Sequence, residues 1–572
     1  MNHFVSNPLA TADYIIIAGF FLVMLAIGIF FSGRMKNLQD YFSGGRRVPW
    51  WLSGASFYMS SFSAFTFVAY SELAYKYGFV AVTAYWVTVP ASLLSAYYFA
   101  SRWRRVAVTS PLEYIEERYG AALRQWLAWL GIPVKVIDDG LKLFAIGTLV
   151  SSGMGFPLEY AVFLSGTIML CYTFLGGLWA VLITDFVQFV IMGMAVLVLI
   201  PLALQKAGGL ESFFMNIPPD FFSLTAEQYT WTYLFAFFVI IALNYSTSWS
   251  LVQRYYSVGS DRDARRVGYF VAALNVIGPP LLFGPAMAAR VFLPELENTK
   301  EVYAVVCQTL LPVGMMGMII AAMFSATMSM LSSDYNAVAS VLTNDVYKRL
   351  VARDATNRSL VFVARCSTLL VGLVSLGIAF IVIQNQGQGD LFQLMVKVFG
   401  IFLPPVAIPM LFGLVNRSIS NLGGLAGLLT GMGFGVVAYL FGGHYPILRE
   451  VQYITAITLF STIAGMVIGT LARPNSGAQQ QRISRYFDKM ISSEFLSIDD
   501  PAAKPLDFTP LSVIGVSVAT LGGLLMAVVV LTQPLRDSVM SLCVGLSMMI
   551  VGGLFLLAPC IRKRRKIDDS ME

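Results

Sequence analysis

With 572 residues, 57% of them hydrophobic and only 12% charged, and a mean hydropathy of +0.71, the chain is not a water-soluble protein. Ordinary globular domains carry about 25% charged residues. The net charge of +6 sits in short basic loops and implies no nucleic-acid partner. The five cysteines (Cys171, Cys307, Cys366, Cys543, Cys560) form no CxxC and read as packing residues, and the histidines are His3 and His444 alone. With no HExxH, GxSxG or GxxxxGK[ST] either, the sequence supports no metalloprotease, α/β-hydrolase or ATP-driven pump. The expectation is a membrane protein that is not an enzyme and draws its energy from something other than nucleotide.

Apolar windows of about 20 residues predict an all-α polytopic protein of about fifteen transmembrane helices. They fall at 12–32, 50–75, 80–101, 126–152, 158–176, 180–204, 231–250, 268–292, 313–342, 361–384, 391–414, 422–441, 450–472, 510–532 and 539–560. Span one runs straight into Arg34 and Lys36, which marks a span stopped by charge rather than a cleaved signal. Basic clusters then recur on alternate loops: Arg46-Arg47, Arg102 to Arg118, Arg254 to Arg266, Lys348 to Arg358, Arg473 to Arg485 and the terminal Arg562-Lys563-Arg564-Arg565-Lys566. The positive-inside rule puts these in the cytoplasm, the N-terminus outside and the C-terminus inside.

Along the chain, span two contains the string SSFSAFTF from Ser60, and span seven contains Asn244-Tyr245-Ser246-Thr247-Ser248-Trp249-Ser250. Both are poor in strong helix formers and rich in side chains that can bond freed backbone groups. Span four carries Lys135, Asp138, Asp139 and Lys142 inside an apolar segment. Lys135, Asp139 and Lys142 share one helical face, so a Lys–Asp–Lys network is available. Such a cluster is either self-neutralising, or leaves a lysine for a substrate carboxylate or Asp138 for a substrate amine.

Span nine carries a file of polar residues, Ser325, Ser329, Ser332, Ser333 and Asn336, on one helical face. Hydroxyls of this kind bond back to their own helix, join two helices, or line an oxygen-rich site for a hard cation. Residues 473–509 are the one sizeable polar insertion, an amphipathic segment and linker too short for a catalytic domain.

Several strings carry a resemblance. They are Asp40-Tyr41-Phe42-Ser43-Gly44-Gly45-Arg46-Arg47-Val48-Pro49-Trp50-Trp51, then Ser110-Pro111-Leu112-Glu113-Tyr114 with Arg118-Tyr119-Gly120. Next come Tyr172-Thr173-Phe174-Leu175-Gly176-Gly177-Leu178-Trp179, Thr184-Asp185, Gln253-Arg254, and span nine closing in Asp345-Val346-Tyr347. In this order, over roughly residues 10–470, the chain resembles the sodium:solute symporter family of bacterial proline, sialic acid and galactose transporters.

The resemblance implies a leucine-transporter-like core of two inverted five-helix repeats, spans two to eleven, each starting with a broken helix. It divides the chain into a peripheral helix and loop at 1–49, the transport core at 50–414 and two peripheral helices at 415–472. A cytoplasmic linker at 473–509 and a helical hairpin with a basic tail at 510–572 complete it. Na⁺ is the implied coupling ion and a small polar organic solute the cargo: an amino acid, organic acid, sialic acid or sugar. No obligate protein partner is evident, and the bilayer is the bacterial inner membrane.

Carried over residue by residue, a main Na⁺ site falls on the carbonyls of Met59, Phe62 and Ala326 and the Ser329 hydroxyl. Met330 stands where the family has a second hydroxyl, and a thioether is a weak ligand for a hard cation. A second Na⁺ site, as in sialic acid transporters, falls on Asp185, Ser329, Ser332 and Ser333. Solute contacts are expected from Ser60, Ser63, Thr66, Tyr85, Asp138, Asp139, Lys142, Asn244, Tyr245 and Ser248. At about 100 mV and a tenfold gradient, one Na⁺ could drive roughly 500-fold accumulation. Alternatives are H⁺-coupled or uncoupled transport, with Asp185 carrying the proton, or a transporter-like solute sensor.

Overall fold

The computed structural model describes residues 9–32, 38–106, 108, 110–296, 299–384, 391–492 and 508–568. Among these the chain is helical apart from loops and the isolated bridges Val48 to Val258 and Ala226 to Tyr229. Residues 493–507 of the 473–509 linker lie outside the described residues, as do the side chains of 172–177 and of Ser325.

Eleven described helices are long and apolar enough to cross a membrane, or twelve with one bent pair, against the expected fifteen. The shortfall has physical causes. Span two is split into Trp50–Met59 and Ala64–Tyr77, each too short alone. Span four, inside Ala121–Met154, carries its own charges and a proline. Span five is continuous with span six in one 49-residue helix, Leu158–Lys206, so no loop separates them. Span seven is bent by 50° between Trp231–Thr247 and Trp249–Tyr256, and the second piece runs beyond the expected end at residue 250.

Span nine, Met315–Val341, is the centre of the molecule. Of its most apolar window 94% is buried, whereas the other candidate spans reach 28–56%. It packs against spans one, four, six and ten and against both pieces of span two. Its N-terminus is held by span one: Asp13 Oδ1 accepts from the amides of Gly314 at 2.9 Å and Gly317 at 2.7 Å. A carboxylate there satisfies two donors that a helix start leaves unpaired and complements the helix dipole. Gly317 is needed for this approach, because a Cβ would meet the Asp13 carbonyl oxygen at 2.6 Å and its Cα at 2.7 Å.

Several arginines expected in exposed loops are buried anchors. Arg104 donates to the carbonyls of Val258 (2.5 Å) and Gly259 (2.8 Å), and Arg118 to those of Asn416 (2.8 Å) and Ile419 (2.9 Å). The amphipathic segment forms Gly477–Ser492, whose buried face (Ile483, Tyr486, Phe487, Met490) packs on the short helix Glu113–Tyr119.

Candidate functional site

Both broken helices are explained by their sequences. In span two the first piece ends at Met59, and the second starts with Ser63 and Thr66 exchanging side-chain and backbone hydrogen bonds as a capping box. In span seven the break is at Ser248, whose ψ of 126° leaves the helix. The carbonyls freed there are taken by span three: Ser95 Oγ donates to Tyr245 O at 3.1 Å and Trp103 Nε1 to Ser246 O at 2.8 Å. A break buried in a membrane protein persists only with such partners.

A cavity of about 120 Å³ lies between the two breaks. Nine of the ten expected solute residues line it: Ser60, Ser63, Thr66, Tyr85, Asp138, Lys142, Asn244, Tyr245 and Ser248. Asp139 does not; it is fully buried behind the wall, 3.3 Å from Lys142. Met330 also lines this cavity.

The charged cluster differs from the one expected from span four alone. Asp334, from span nine, is its hub, accepting from Lys135 at 3.1 Å and from Lys142 at 2.8 Å. Lys142 also holds Asp138 at 2.6 Å. The partner of Lys135 is therefore Asp334 rather than Asp139, and no lysine is left over for a substrate carboxylate. Asp334 was legible in principle, since a carboxylate inside a span is a functional candidate by default. It stood unnoticed in the file of serines.

Below the cavity is a second buried cluster, built around Arg254. Its guanidinium donates to Ser333 Oγ (2.5 Å), Ser60 Oγ (3.1 Å) and Ser56 Oγ (2.9 Å), and stands 3.4 Å from Asp185. Ser56 also donates to Asp185 Oδ2. Ser60 and Ser333 are joined at 2.8 Å, so one hydroxyl belongs to the cavity wall and to this cluster. Ser329 Oγ lies beside the Asp185 carboxylate without hydrogen-bond geometry. Asp185 Oδ1 and Ser329 Oγ are thus both buried without a hydrogen-bond partner among the described residues.

Of the residues expected at the second ion site, Asp185, Ser329 and Ser333 therefore meet here. Ser332 instead turns its hydroxyl back to Ser329 O at 3.1 Å. Of the main-site residues, the Met59 carbonyl accepts from Phe62 N at 3.1 Å, which leaves one lone pair free. Phe62 and Ala326 are wholly buried on spans two and nine. Ser56 and Arg254 were missed as site residues, because Arg254 read as a loop charge marking topology.

Two broken helices around a buried cavity, with a buried Arg254–Asp185 cluster touching that cavity, define a secondary transporter of the inverted-repeat, leucine-transporter-like class. The described backbone is similar to that of a Na⁺-coupled sialic acid symporter solved substrate-bound and outward-open. The TM-score is 0.73 at 24% identity, covering 82% of this chain and 99% of that one. The chain belongs to the sodium:solute symporter family, whose family model matches residues 41–431. Curated relatives include the sodium/sialic acid symporter of Proteus mirabilis, 24% identical over 81% of this chain and 95% of that protein. Another is the sodium/mannose cotransporter of Bos taurus, 27% identical over 84% and 90%.

Proposed function

We propose that the chain couples inward Na⁺ movement to uptake of a small polar organic solute by alternating access, and that it is a carrier rather than an enzyme. The observation that carries this reading is Ser60. It sits in the break of span two, lines the cavity, and bonds Ser333 and Arg254 in the acidic cluster. A site shared in this way lets an ion and a solute report on each other, which is what symport requires.

Na⁺ would use the carbonyls of Met59, Phe62 and Ala326 with Ser329, and in the second site Asp185 with Ser329, Ser332 and Ser333. Arg254 already stands among the second set, so a Na⁺ there shares Asp185 with the guanidinium or displaces it. The relatives' names give sialic acid and mannose as cargo, and a small polar solute is the class carried over here. Residues 50–414 form the moving core, with 1–49, 415–472, 473–509 and 510–572 around it. The bilayer is a bacterial inner membrane, with the N-terminus outside and the C-terminus in the cytoplasm.

The test is uptake by purified protein in proteoliposomes, using a labelled panel of sialic acid, sugars and amine-bearing solutes. An inward Na⁺ gradient should drive accumulation of at least one. Uptake that ignores Na⁺ and follows a pH gradient would move the reading to proton coupling.

A further inference from the structure

We propose that the cavity recognises a solute that carries an ammonium group, seated on Asp138 and enclosed by aromatic rings; this rests on the transport reading above. Three carboxylates, Asp138, Asp139 and Asp334, offer oxygens within 4.8 Å of one another. Only two ammonium groups, Lys135 and Lys142, pair with them among the described residues. The carboxylates outnumber their ammonium partners by one, an imbalance that either a proton on one carboxylate or a further cation must balance.

The surplus has an address. Asp334 has both oxygens taken, Oδ1 by Lys135 and Oδ2 by Lys142. Asp139 does not line the cavity. Asp138 does, and only its Oδ2 is used, by Lys142 at 2.6 Å. Its Oδ1 is buried without a hydrogen-bond partner among the described residues, in a side chain 6% exposed. A buried carboxylate oxygen left unpaired is costly, and a cationic donor is the group that relieves it most.

The rest of the wall suits the same headgroup. Tyr70, Tyr85, Phe237, Tyr245 and Phe399 line this cavity, and π faces attract ammonium groups, quaternary ones included. The Tyr85 hydroxyl is a second buried polar group without a partner among the described residues, available to a polar substituent of the solute. An anionic headgroup would gain nothing here, because both lysines are committed to carboxylates. This separates the cavity from one built for a carboxylate.

The test compares isosteric pairs binding to full-length protein in detergent with Na⁺ present: choline against 3,3-dimethylbutan-1-ol, and D-glucosamine against D-glucose. The ammonium member of at least one pair should bind at least tenfold more tightly than its neutral partner, and Asp138→Asn should abolish that preference. The wild-type comparison stands without the variant, should Asp138→Asn not fold. Equal binding within both pairs, absence of binding included, overturns the proposal. Na⁺-driven uptake of N-acetylneuraminate or mannose with no ammonium preference would overturn it and leave the symporter reading standing. Ammonium preference with Na⁺-independent uptake would do the reverse.

Discussion

Arg254 and Asp185 face each other at 3.4 Å with both side chains wholly buried, one from the second piece of span seven, Trp249–Tyr256, and one from span six. A buried pair broken on one side leaves an uncompensated charge, at a cost of about 3–5 kcal/mol. Arg254→Gln and Asp185→Asn should each lower the melting temperature of detergent-solubilised protein, and the double variant should recover much of the loss. Additive losses would mean that the two side chains are not coupled. Arg254→Gln should also tighten Na⁺ binding about tenfold or more, since a like charge near the ion is removed. Weaker Na⁺ binding in that variant would show that the guanidinium supports the ion rather than competing with it.

Asp334 is the side chain on which both lysines of span four converge. Asp334→Ala strands two buried ammonium groups, and a destabilisation of about 3–5 kcal/mol is expected. Asp334→Asn keeps the shape and should be milder in folding while still abolishing solute binding. Wild-type binding by Asp334→Asn would remove this cluster from the site.

Span one packs along span nine, with Phe21 against Phe324, and caps its start through the Asp13 carboxylate. Asp13→Ala removes the cap from two amides at the start of span nine and should cost about 1–2 kcal/mol. Gly317→Ala should do more harm than Asp13→Ala, because its Cβ would press on the Asp13 backbone, which cannot move as a flexible side chain can. Thermal melts of the two variants order these effects. A Gly317→Ala protein as stable as wild type would show that span one docks elsewhere.

Ser60→Ala takes away the hydroxyl shared by cavity and acidic cluster while leaving the break itself in place. Na⁺ should then lose most of its effect on solute affinity, with each ligand still binding alone. An unchanged Na⁺ dependence would place the coupling in other residues.

The all-helical membrane fold was legible because long apolar runs and basic loops follow directly from the cost of burying polar groups in lipid. Broken helices were expected from the family resemblance, and the strings of weak helix formers around Ser60 and Ser248, where the breaks fall, agree with it. What sequence spacing does not reveal is pairing between spans. Lys135 and Asp139 share a face of one helix, but the contact that forms is Lys135 with Asp334, 199 residues away. Arg254 likewise looked like a loop charge, because nothing in its neighbourhood shows that the piece Trp249–Tyr256 is buried end to end. The expected fifteen spans exceed the eleven or twelve described helices that are long and apolar enough to cross a membrane, because breaks and internal charges shorten the apolar runs of spans two, four and seven.

A Na⁺ site that depends on Asp185 underlies the proposed symport. It is tested most directly by solute-free calorimetric titration of Na⁺ into purified wild-type and Asp185→Asn protein, with K⁺ as control. Saturable binding of Na⁺ but not K⁺, weakened at least tenfold in Asp185→Asn, is the predicted result. Identical isotherms for the two proteins, or equal responses to Na⁺ and K⁺, would contradict it.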